Sequence, residues 1–312
     1  MTSLLPTGFP GALSITAVER ETGLSKDTLR VWEKRYGFPR PLRDAADDRL
    51  YPLDQVHRLK LIRRLLDAGH RPGKVANLDD SALKDILDKN QSLSKTNNSS
   101  DNLSPTLEPL LHAIEAHDAA RLRHALSHAQ MRMGLGAFVT EMVAPLTTAV
   151  GDAWAQGRFE IFEEHLFTEV ISSVLHSCIA TLSTVPAPRT PKVLLTTLPQ
   201  ELHGLGLLMV EALLVLEGCQ CVSLGTQTPV IDIVRAAKAH RVGIVALSFS
   251  NLQNPATVQT SLRALRSELP AETSIWVGGS CQVLYQKPWE GISALQDLSG
   301  LPAMVTQWRE AH

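Results

Sequence analysis

The stretch KVLLTTLPQELHGLGLLMVEALL, residues 192–214, decides the fold of the C-terminal part of the chain. Its Val- and Leu-rich beginning is typical of a strand that is covered on both faces, and Leu205–Leu216 is predicted to be the helix that follows. Strand-like runs and helical stretches then alternate: CQCVSLG (219–225), a helix over Val230–Ala239, GIVALSFS (243–250), a helix over Ala256–Leu269, and SIWVGG (274–279). This alternation predicts parallel βαβ units in a doubly wound, Rossmann-like sheet.

Three short motifs follow the predicted strands. The motif Glu201-x-His203-x-x-Gly206 comes after the first strand, Ser250-x-Leu252 after the third, and Gly278-Gly279 ends the fourth. Ligands bind at the carboxyl ends of the strands in open α/β sheets, so this edge is the candidate site. Taken alone, a histidine at a strand end is more often structural or solvated, and glycines can simply form turns.

In this order and at these separations, the three motifs resemble the cobalamin-binding signature D-x-H-x-x-G, S-x-L and G-G of methionine synthase and its relatives. The resemblance implies that His203 offers a ring nitrogen to cobalt, in place of the cofactor's own dimethylbenzimidazole, while Glu201 and then Ser250 hold the other ring nitrogen. The signature's glycines let the backbone approach the nucleotide tail of the cofactor.

Long helical periodicities occupy residues 107 to about 185, and they contain Trp154 followed after nine residues by Glu164 and His165. This spacing resembles the W-x9-E-H motif of the helical cap in light-sensing MerR-type regulators of the CarH and LitR type. The resemblance implies a four-helix bundle whose Trp154 lies against the upper face of adenosylcobalamin. Ala155 departs from the pattern, because the light sensors carry a histidine there that captures cobalt after light removes the adenosyl group.

The N-terminal part reads as a helix-turn-helix. We expect Thr16 to cap the first helix with Glu19 closing a capping box, Gly23 to form the turn, and Ser25 to cap the second helix. The second helix, KDTLRVWEKRYG, places three apolar side chains on one face and its basic side chains elsewhere; the apolar ones are Leu29, Trp32 and Tyr36. The stretch from Pro39 to Tyr51 is predicted to be a hairpin wing, followed by a third helix after Asp54.

Residues 15–62, ITAVERETGLSKDTLRVWEKRYGFPRPLRDAADDRLYPLDQVHRLKLI, resemble the N-terminal domain of the MerR family along its whole length. In that family the second helix enters the major groove, while the wing and a tyrosine contact phosphates. The resemblance implies base or phosphate contacts for Lys26, Thr28, Arg30 and Lys34, and backbone contacts for Arg43, Arg49 and Tyr51. For any one of these residues, a solvated basic surface is the alternative.

Composition divides the chain into modules. Residues 88–106 are rich in Ser and Asn and predict a flexible linker, which separates a DNA-binding domain over 1–87 from a helical cap over 107–186 and a Rossmann-like domain over 187–312. Residues 1–75 hold fourteen Lys and Arg against nine Asp and Glu, although the whole chain has a net charge of −2. Nucleic acid is therefore expected at the N-terminal end.

Overall composition indicates a cytoplasmic, globular protein of 312 residues, with 44% hydrophobic and 20% charged residues and no uninterrupted apolar run of membrane-spanning length. The four cysteines show no zinc spacing and are expected to be core thiols; Cys219 and Cys221 are expected to share one face of a strand. His124 and His128, spaced i, i+4, are expected on the surface because a third ligand is missing nearby.

The sequence is compatible with four functions. The first is a repressor of operator DNA switched by adenosylcobalamin and light, and the second is a repressor that senses cobalamin without light. The third is a corrinoid methyl carrier, which the basic helix-turn-helix disfavours. The fourth is a regulator whose pocket binds another ligand, such as heme, or a protein partner. Enzyme activity is not expected, and assembly into a homodimer or homotetramer is expected to come chiefly from the C-terminal modules.

Overall fold

The computed structural model describes residues 12–44, 47–67, 70–86, 107–183, 190–251 and 253–312. They form two compact units: the described residues up to 86 together with Gly151–Glu164, and the described residues from 107 to Val150 together with His165–His312. The linker predicted over 88–106 and Leu252 lie outside the described residues. The predicted limits of the three domains stay predictions.

The first unit contains the helix-turn-helix and the wing. Its elements are β1 (Ala12–Ser14), α1 (Ile15–Thr22), α2 (Lys26–Tyr36), β2 (Leu42–Arg43), β3 (Arg49–Pro52), α3 (Leu53–Asp67), α4 (Pro72–Val75) and a helix over 80–86, here α5. The three strands pair antiparallel in the order β1-β3-β2. Leu29, Trp32 and Tyr51 belong to the buried cluster that holds α1, α2 and α3 together.

The caps of the helix-turn-helix differ in part from the prediction. Ser14, rather than Thr16, caps α1 by accepting a hydrogen bond from the N–H of Ala17. Glu19 accepts the backbone N–H of Lys26 at 3.0 Å instead of closing a capping box, so it ties α1 to the start of α2. Gly23, at φ +65°, forms the turn as predicted, because glycine adopts this left-handed conformation without strain. Ser25 caps α2 as predicted.

The first unit also includes Gly151–Glu164, which lies far from the helix-turn-helix in sequence. Arg64 of α3 contacts Glu160 at 3.2 Å, and the side chain of Arg64 is only 14% exposed. A methyl group added at Gly157 would lie 3.0 Å from the guanidinium of Arg64. This segment, which carries Trp154, therefore packs against α3.

Helices precede the sheet in the second unit. They comprise α6 (Glu108–Glu115), α7 (Ala119–Met133), α8 (Leu135–Ala137), a π-helical turn over Phe138–Val143, and the parts of α9 (Ala144–Ala155) and α10 (Ile161–Ser183) that belong to this unit. Among the described residues, Ile161–Leu182 has the length and composition of a membrane-crossing helix. Core helices of globular proteins share that property, so it does not assign a membrane.

A five-stranded parallel sheet forms the rest of the second unit. Strands β4 (Lys192–Thr196), β5 (Gln220–Ser223), β6 (Ile244–Phe249), β7 (Ser274–Gly279) and β8 (Ile292–Leu295) lie in the order β5-β4-β6-β7-β8. The helices are α11 (Leu205–Leu216), α12 (Val230–His240), α13 (Pro255–Glu268) and α14 (Leu301–Ala311). The predicted doubly wound sheet is confirmed. Its order reverses between β4 and β6, where such folds bind ligands.

Close packing fixes α14 on the sheet. A methyl group at Gly243, directly before β6, would lie 2.6 Å from Cζ2 of Trp308. Trp308 cannot easily turn aside, because its indole N–H donates to Oγ of Ser274 at 3.1 Å. Neither α14 nor β8 was predicted from the sequence.

The four cysteines, all among the described residues, form no disulfide. Cys219 is fully buried just before β5, whereas Cys221 on the strand is half-buried, so the expectation that the two share one buried face is wrong. Burial raises the pKa of the Cys219 thiol to about 11. The pKa of Cys281 is raised as well, by burial and to a smaller degree by the charge of Glu201.

We expect Gly243→Ala to destabilise the protein by about 1–3 kcal/mol, because overpacking against a fixed indole forces a backbone shift. Gly151→Ala is the matched control: it adds the same methyl group within α9, where nothing lies within 4 Å, and should be neutral or slightly stabilising. Urea unfolding of both variants measures the difference. Equal stability of Gly243→Ala and the wild type would contradict the packing described for α14.

Candidate functional site

Glu201 is the centre of the candidate site in the second unit. It follows β4, its side chain is fully buried, and both of its carboxylate oxygens are used. Oε1 accepts the backbone N–H of His203 at 3.0 Å and lies 2.6 Å from Nδ1 of the same residue. Oε2 accepts the backbone N–H of Ser250, after β6, at 2.7 Å. One carboxylate thus joins the two strand ends at which the sheet order reverses.

The charge of Glu201 is retained despite its burial. Burial by itself raises the pKa of the carboxyl group, but the hydrogen bonds from His203 and the backbone of Ser250 outweigh burial and lower the pKa below its ordinary value. Glu201 therefore stays ionised at neutral pH. An ionised acceptor keeps the Nδ1 proton on the imidazole of His203.

His203 is held at one ring nitrogen and open at the other. Its side chain is 54% exposed, and the contact with Glu201 occupies Nδ1. Nε2 is therefore the ring nitrogen left for a ligand. An imidazole oriented by a carboxylate in this way is the usual arrangement of a histidine that ligates a metal.

Ser250 supplies a second sign that the edge is built for a ligand. Its hydroxyl is buried and close enough to Glu201 to favour the charged carboxylate, yet it makes no hydrogen bond of good geometry with any described residue. Buried hydroxyls are nearly always paired, so this oxygen is suited to a polar group that enters from outside.

The glycines at this edge lie where the chain packs closely. A methyl group at Gly206 would lie 2.7 Å from Oγ of Ser248, and one at Gly279 would lie 2.1 Å from the carbonyl oxygen of Phe249. Gly279 has φ +115°, a conformation open to glycine. At Gly278 the nearest atom is the carbonyl oxygen of Leu295, at 3.0 Å. The imidazole of His203, held by a carboxylate, and the buried hydroxyl of Ser250 fit a ligand that brings a metal and a polar group to this edge.

Several supports of this edge were missed by the sequence analysis. Thr197 accepts the backbone N–H of Gln227 at 2.8 Å and donates to the carbonyl of Glu201 at 2.8 Å. Gln253 donates to the carbonyl of Gln200 at 2.8 Å, and Tyr285 donates to the carbonyl of Gly279 at 2.7 Å. The types of these residues alone gave no signal, because each contact depends on how separate loops meet in the folded chain.

The three residues predicted for the helical cap are divided between the two units. Trp154, near the end of α9, is partly buried and belongs to the first unit with Glu164, which is also partly buried. His165 is exposed on α10 and belongs to the second unit. A position for these three residues opposite His203 stays a prediction. His124 and His128 are exposed, as expected.

The second candidate site is the basic surface of the first unit. Arg30 and Lys34 are exposed on α2, whereas Lys26 and Thr28 at its start are half-buried. Thr28 is held by Ser25, and Lys26 lies 3.6 Å from Glu19. Arg30 contacts Asp27 at 3.0 Å. This exposed ion pair is weak, so it can be exchanged for a phosphate.

The wing places two arginines opposite each other, and the tyrosine that follows is buried. Arg43 and Arg49 face each other across β2 and β3. Tyr51 is fully buried, and its hydroxyl has no partner among the described residues. Burial, followed by the charge of Glu33, raises the pKa of Tyr51. The ring belongs to the buried cluster of this unit, and the contacts of the three residues with the DNA backbone stay predictions.

Comparisons with known proteins agree with both sites. Residues 13–81 match the MerR HTH family regulatory protein, and residues 191–290 and 106–178 each match a B12 binding domain. The chain is 27% identical over 271 residues to the HTH-type transcriptional repressor CarH of Myxococcus xanthus, covering 87% of this chain and 90% of that protein. It is 28% identical over 264 residues to the repressor CarA of the same organism, covering 83% and 84%.

Among solved structures, the monomethylamine corrinoid protein of Methanosarcina barkeri superposes with a TM-score of 0.52 at 15% identity, covering 65% of this chain and 97% of that protein. This likeness concerns the fold alone. The sequence-based assignment of a MerR-type helix-turn-helix joined to B12-binding domains is confirmed by these matches, and the two curated relatives are repressors rather than enzymes.

Glu201→Gln should destabilise the protein by about 1–3 kcal/mol, because an amide has one acceptor oxygen and its NH2 group would face a donor. Urea unfolding measures the loss. Glu272→Gln, at an exposed position, removes the same charge and should change stability by no more than about 0.5 kcal/mol. If the two variants were equally stable, the carboxylate would not be the group that joins the strand ends.

Proposed function

We propose that this DNA-binding MerR-type regulator with B12-binding domains is a transcriptional repressor controlled by adenosylcobalamin, with His203 as the lower ligand of cobalt. The contact of the buried Glu201 carboxylate with Nδ1 of His203 carries the proposal, because it leaves Nε2 as the ligating nitrogen. Ser250, Gly206, Gly278 and Gly279 accept the displaced nucleotide tail. Bound adenosylcobalamin supplies a cobalt–carbon bond that light can break.

The cap residues have their own roles in this proposal. Trp154 would lie against the bound cofactor on the side of its adenosyl group, with Glu164 and His165 beside it. Since Trp154 lies on the segment that packs against Arg64, a change at the upper face is transmitted to the DNA-binding fold. Ligand affinity and DNA affinity are then coupled, and each changes the other by the same factor.

A second candidate is a repressor that senses cobalamin without light. Ala155 favours it, because a methyl side chain cannot ligate cobalt after the adenosyl group leaves. Under either candidate the chain acts in the cytoplasm on double-stranded operator DNA as a homodimer or homotetramer, since paired half-sites call for two-fold symmetry.

His203→Ala should lower the affinity for adenosylcobalamin at least tenfold, because losing a residue that holds a metal or its ligand typically costs about 10–100-fold in affinity. It should also remove the spectral change that appears when a histidine replaces the cofactor's own base. Titration followed by absorption spectroscopy measures both. His240→Ala, an exposed histidine on α12, should bind as the wild type does. Wild-type affinity and spectrum in His203→Ala would refute the ligation.

The double substitution of Arg30 and Arg49 by Ala should abolish the gel shift of operator DNA, and binding by the wild type should weaken steeply with salt, because arginine contacts release phosphate counterions. The probe is a duplex enriched by the wild-type chain from a randomised pool. Arg263→Ala, exposed on α13, is the control. A retained shift in the double variant would exclude this surface.

The coupling is tested by measuring oligomer size and operator affinity of the apo, dark cobalamin-bound and illuminated protein. We expect cobalamin binding to change both quantities. Because residue 155 is alanine, we expect illumination to change oligomer size and operator affinity less than cobalamin binding does. Substituting Ala155 by His should strengthen the light response if that position sets the end state. Identical size and affinity in all three states would reject control by the cofactor.

A further inference from the structure

One acidic side chain of the second helix of the helix-turn-helix contacts the wing. Glu33 on α2 accepts a hydrogen bond from Nε of Arg49, the first residue of β3, at 2.8 Å. Both side chains are only about a quarter exposed, at 25% and 23%. The contact raises the pKa of Arg49, because the bound carboxylate favours the charged guanidinium. A pair so shielded is stronger than the exposed pair of Arg30 with Asp27.

The wing depends on such contacts because its strands are short. β2 has two residues and β3 has four, and a ribbon of this size is marginal without further support. Its base is fixed by Gln55, which exchanges two hydrogen bonds with the backbone of Arg40, at 2.7 and 2.9 Å. The central strand β3, on which Arg49 faces Arg43 of β2, is tied to α2 by Glu33.

A carboxylate at a DNA-binding surface normally weakens binding, because it repels phosphates. Glu33 avoids much of that repulsion, since its charge is matched by Arg49. The contact uses Nε, so both terminal nitrogens of the guanidinium remain as donors with a fixed direction. Fixing a long, flexible side chain in advance lowers the entropy lost when it meets a phosphate.

We propose that Glu33 is a positioning residue for DNA binding: it fixes the wing against α2 and directs the terminal nitrogens of Arg49 to a backbone phosphate. This rests on the proposed binding of operator DNA by the same surface. Glu33 itself contacts neither base nor phosphate in this arrangement.

The test compares the full-length wild type with Glu33→Ala, Glu33→Gln, Arg49→Ala and the Glu33→Ala, Arg49→Ala double variant on the duplex selected by the wild type. We expect Glu33→Ala and Arg49→Ala each to weaken binding roughly tenfold and to reduce the slope of log affinity against log salt by about 0.9, the value for one phosphate contact. The double variant should bind no more weakly than Arg49→Ala, because both changes remove one contact.

Glu33→Gln keeps an acceptor oxygen for Nε and should restore most of the affinity and the salt slope. Glu21→Ala is the matched control, since it breaks another ion pair of the same unit, with Lys60 at 3.0 Å, away from the wing. Glu21→Ala should leave DNA affinity unchanged, because Glu21 pairs with Lys60 and not with the wing, and thermal unfolding measures the stability that each variant loses. Weaker DNA binding by Glu21→Ala as well as Glu33→Ala would show a general loss of folding and would overturn the inference.

Three other results would overturn the inference. Tighter binding by Glu33→Ala would show simple repulsion, multiplicative losses in the double variant would show independent roles, and an unchanged salt slope with relaxed sequence preference would show direct base reading by Glu33. In each case the wild type still binds DNA, so the proposed function survives. Failure of the wild type to enrich any duplex would reject the DNA-binding function together with this inference.

Discussion

The arrangement of the second unit depends on a buried negative charge placed between two strand ends. Glu201 is removed from water, so its carboxylate must find all its partners within the protein. It finds them in His203 and in the backbone of Ser250, which follow the neighbouring strands β4 and β6. The need to satisfy this charge therefore holds the histidine ring beside the loop after β6, at the point where the sheet order reverses.

Carboxylates also join separate elements in the first unit. Glu19 joins the two helices of the helix-turn-helix through the N–H of Lys26, and Glu33 joins the second helix to the wing through Arg49. Small cores need such directional contacts, because apolar packing alone does not set the angle between short elements. The carboxylates of Glu19 and Glu33 thus help to fix the shape of the basic surface.

Much of the fold could be predicted from the sequence, because its signals are local. The runs before Glu201 and Ser250 are apolar and continuous, as strands buried on both faces must be, and the caps at Ser25 and Gly23 follow from backbone chemistry. Strand β8 was not predicted because ISAL, residues 292–295, is short, lies at the sheet edge and exposes its two middle residues, Ser293 and Ala294. Pairings such as Glu33 with Arg49 join residues sixteen apart, and no period in a single sequence records them.

The cysteines of the sheet give the site a property of a different kind. Oxidants attack the thiolate form of cysteine, and the thiols of Cys219 and Cys281 are both held protonated at neutral pH by their raised pKa. For Cys281 the charge of Glu201 adds to that effect, so the carboxylate that orients His203 also disfavours the thiolate form of Cys281. Both thiols are therefore poor targets for peroxide.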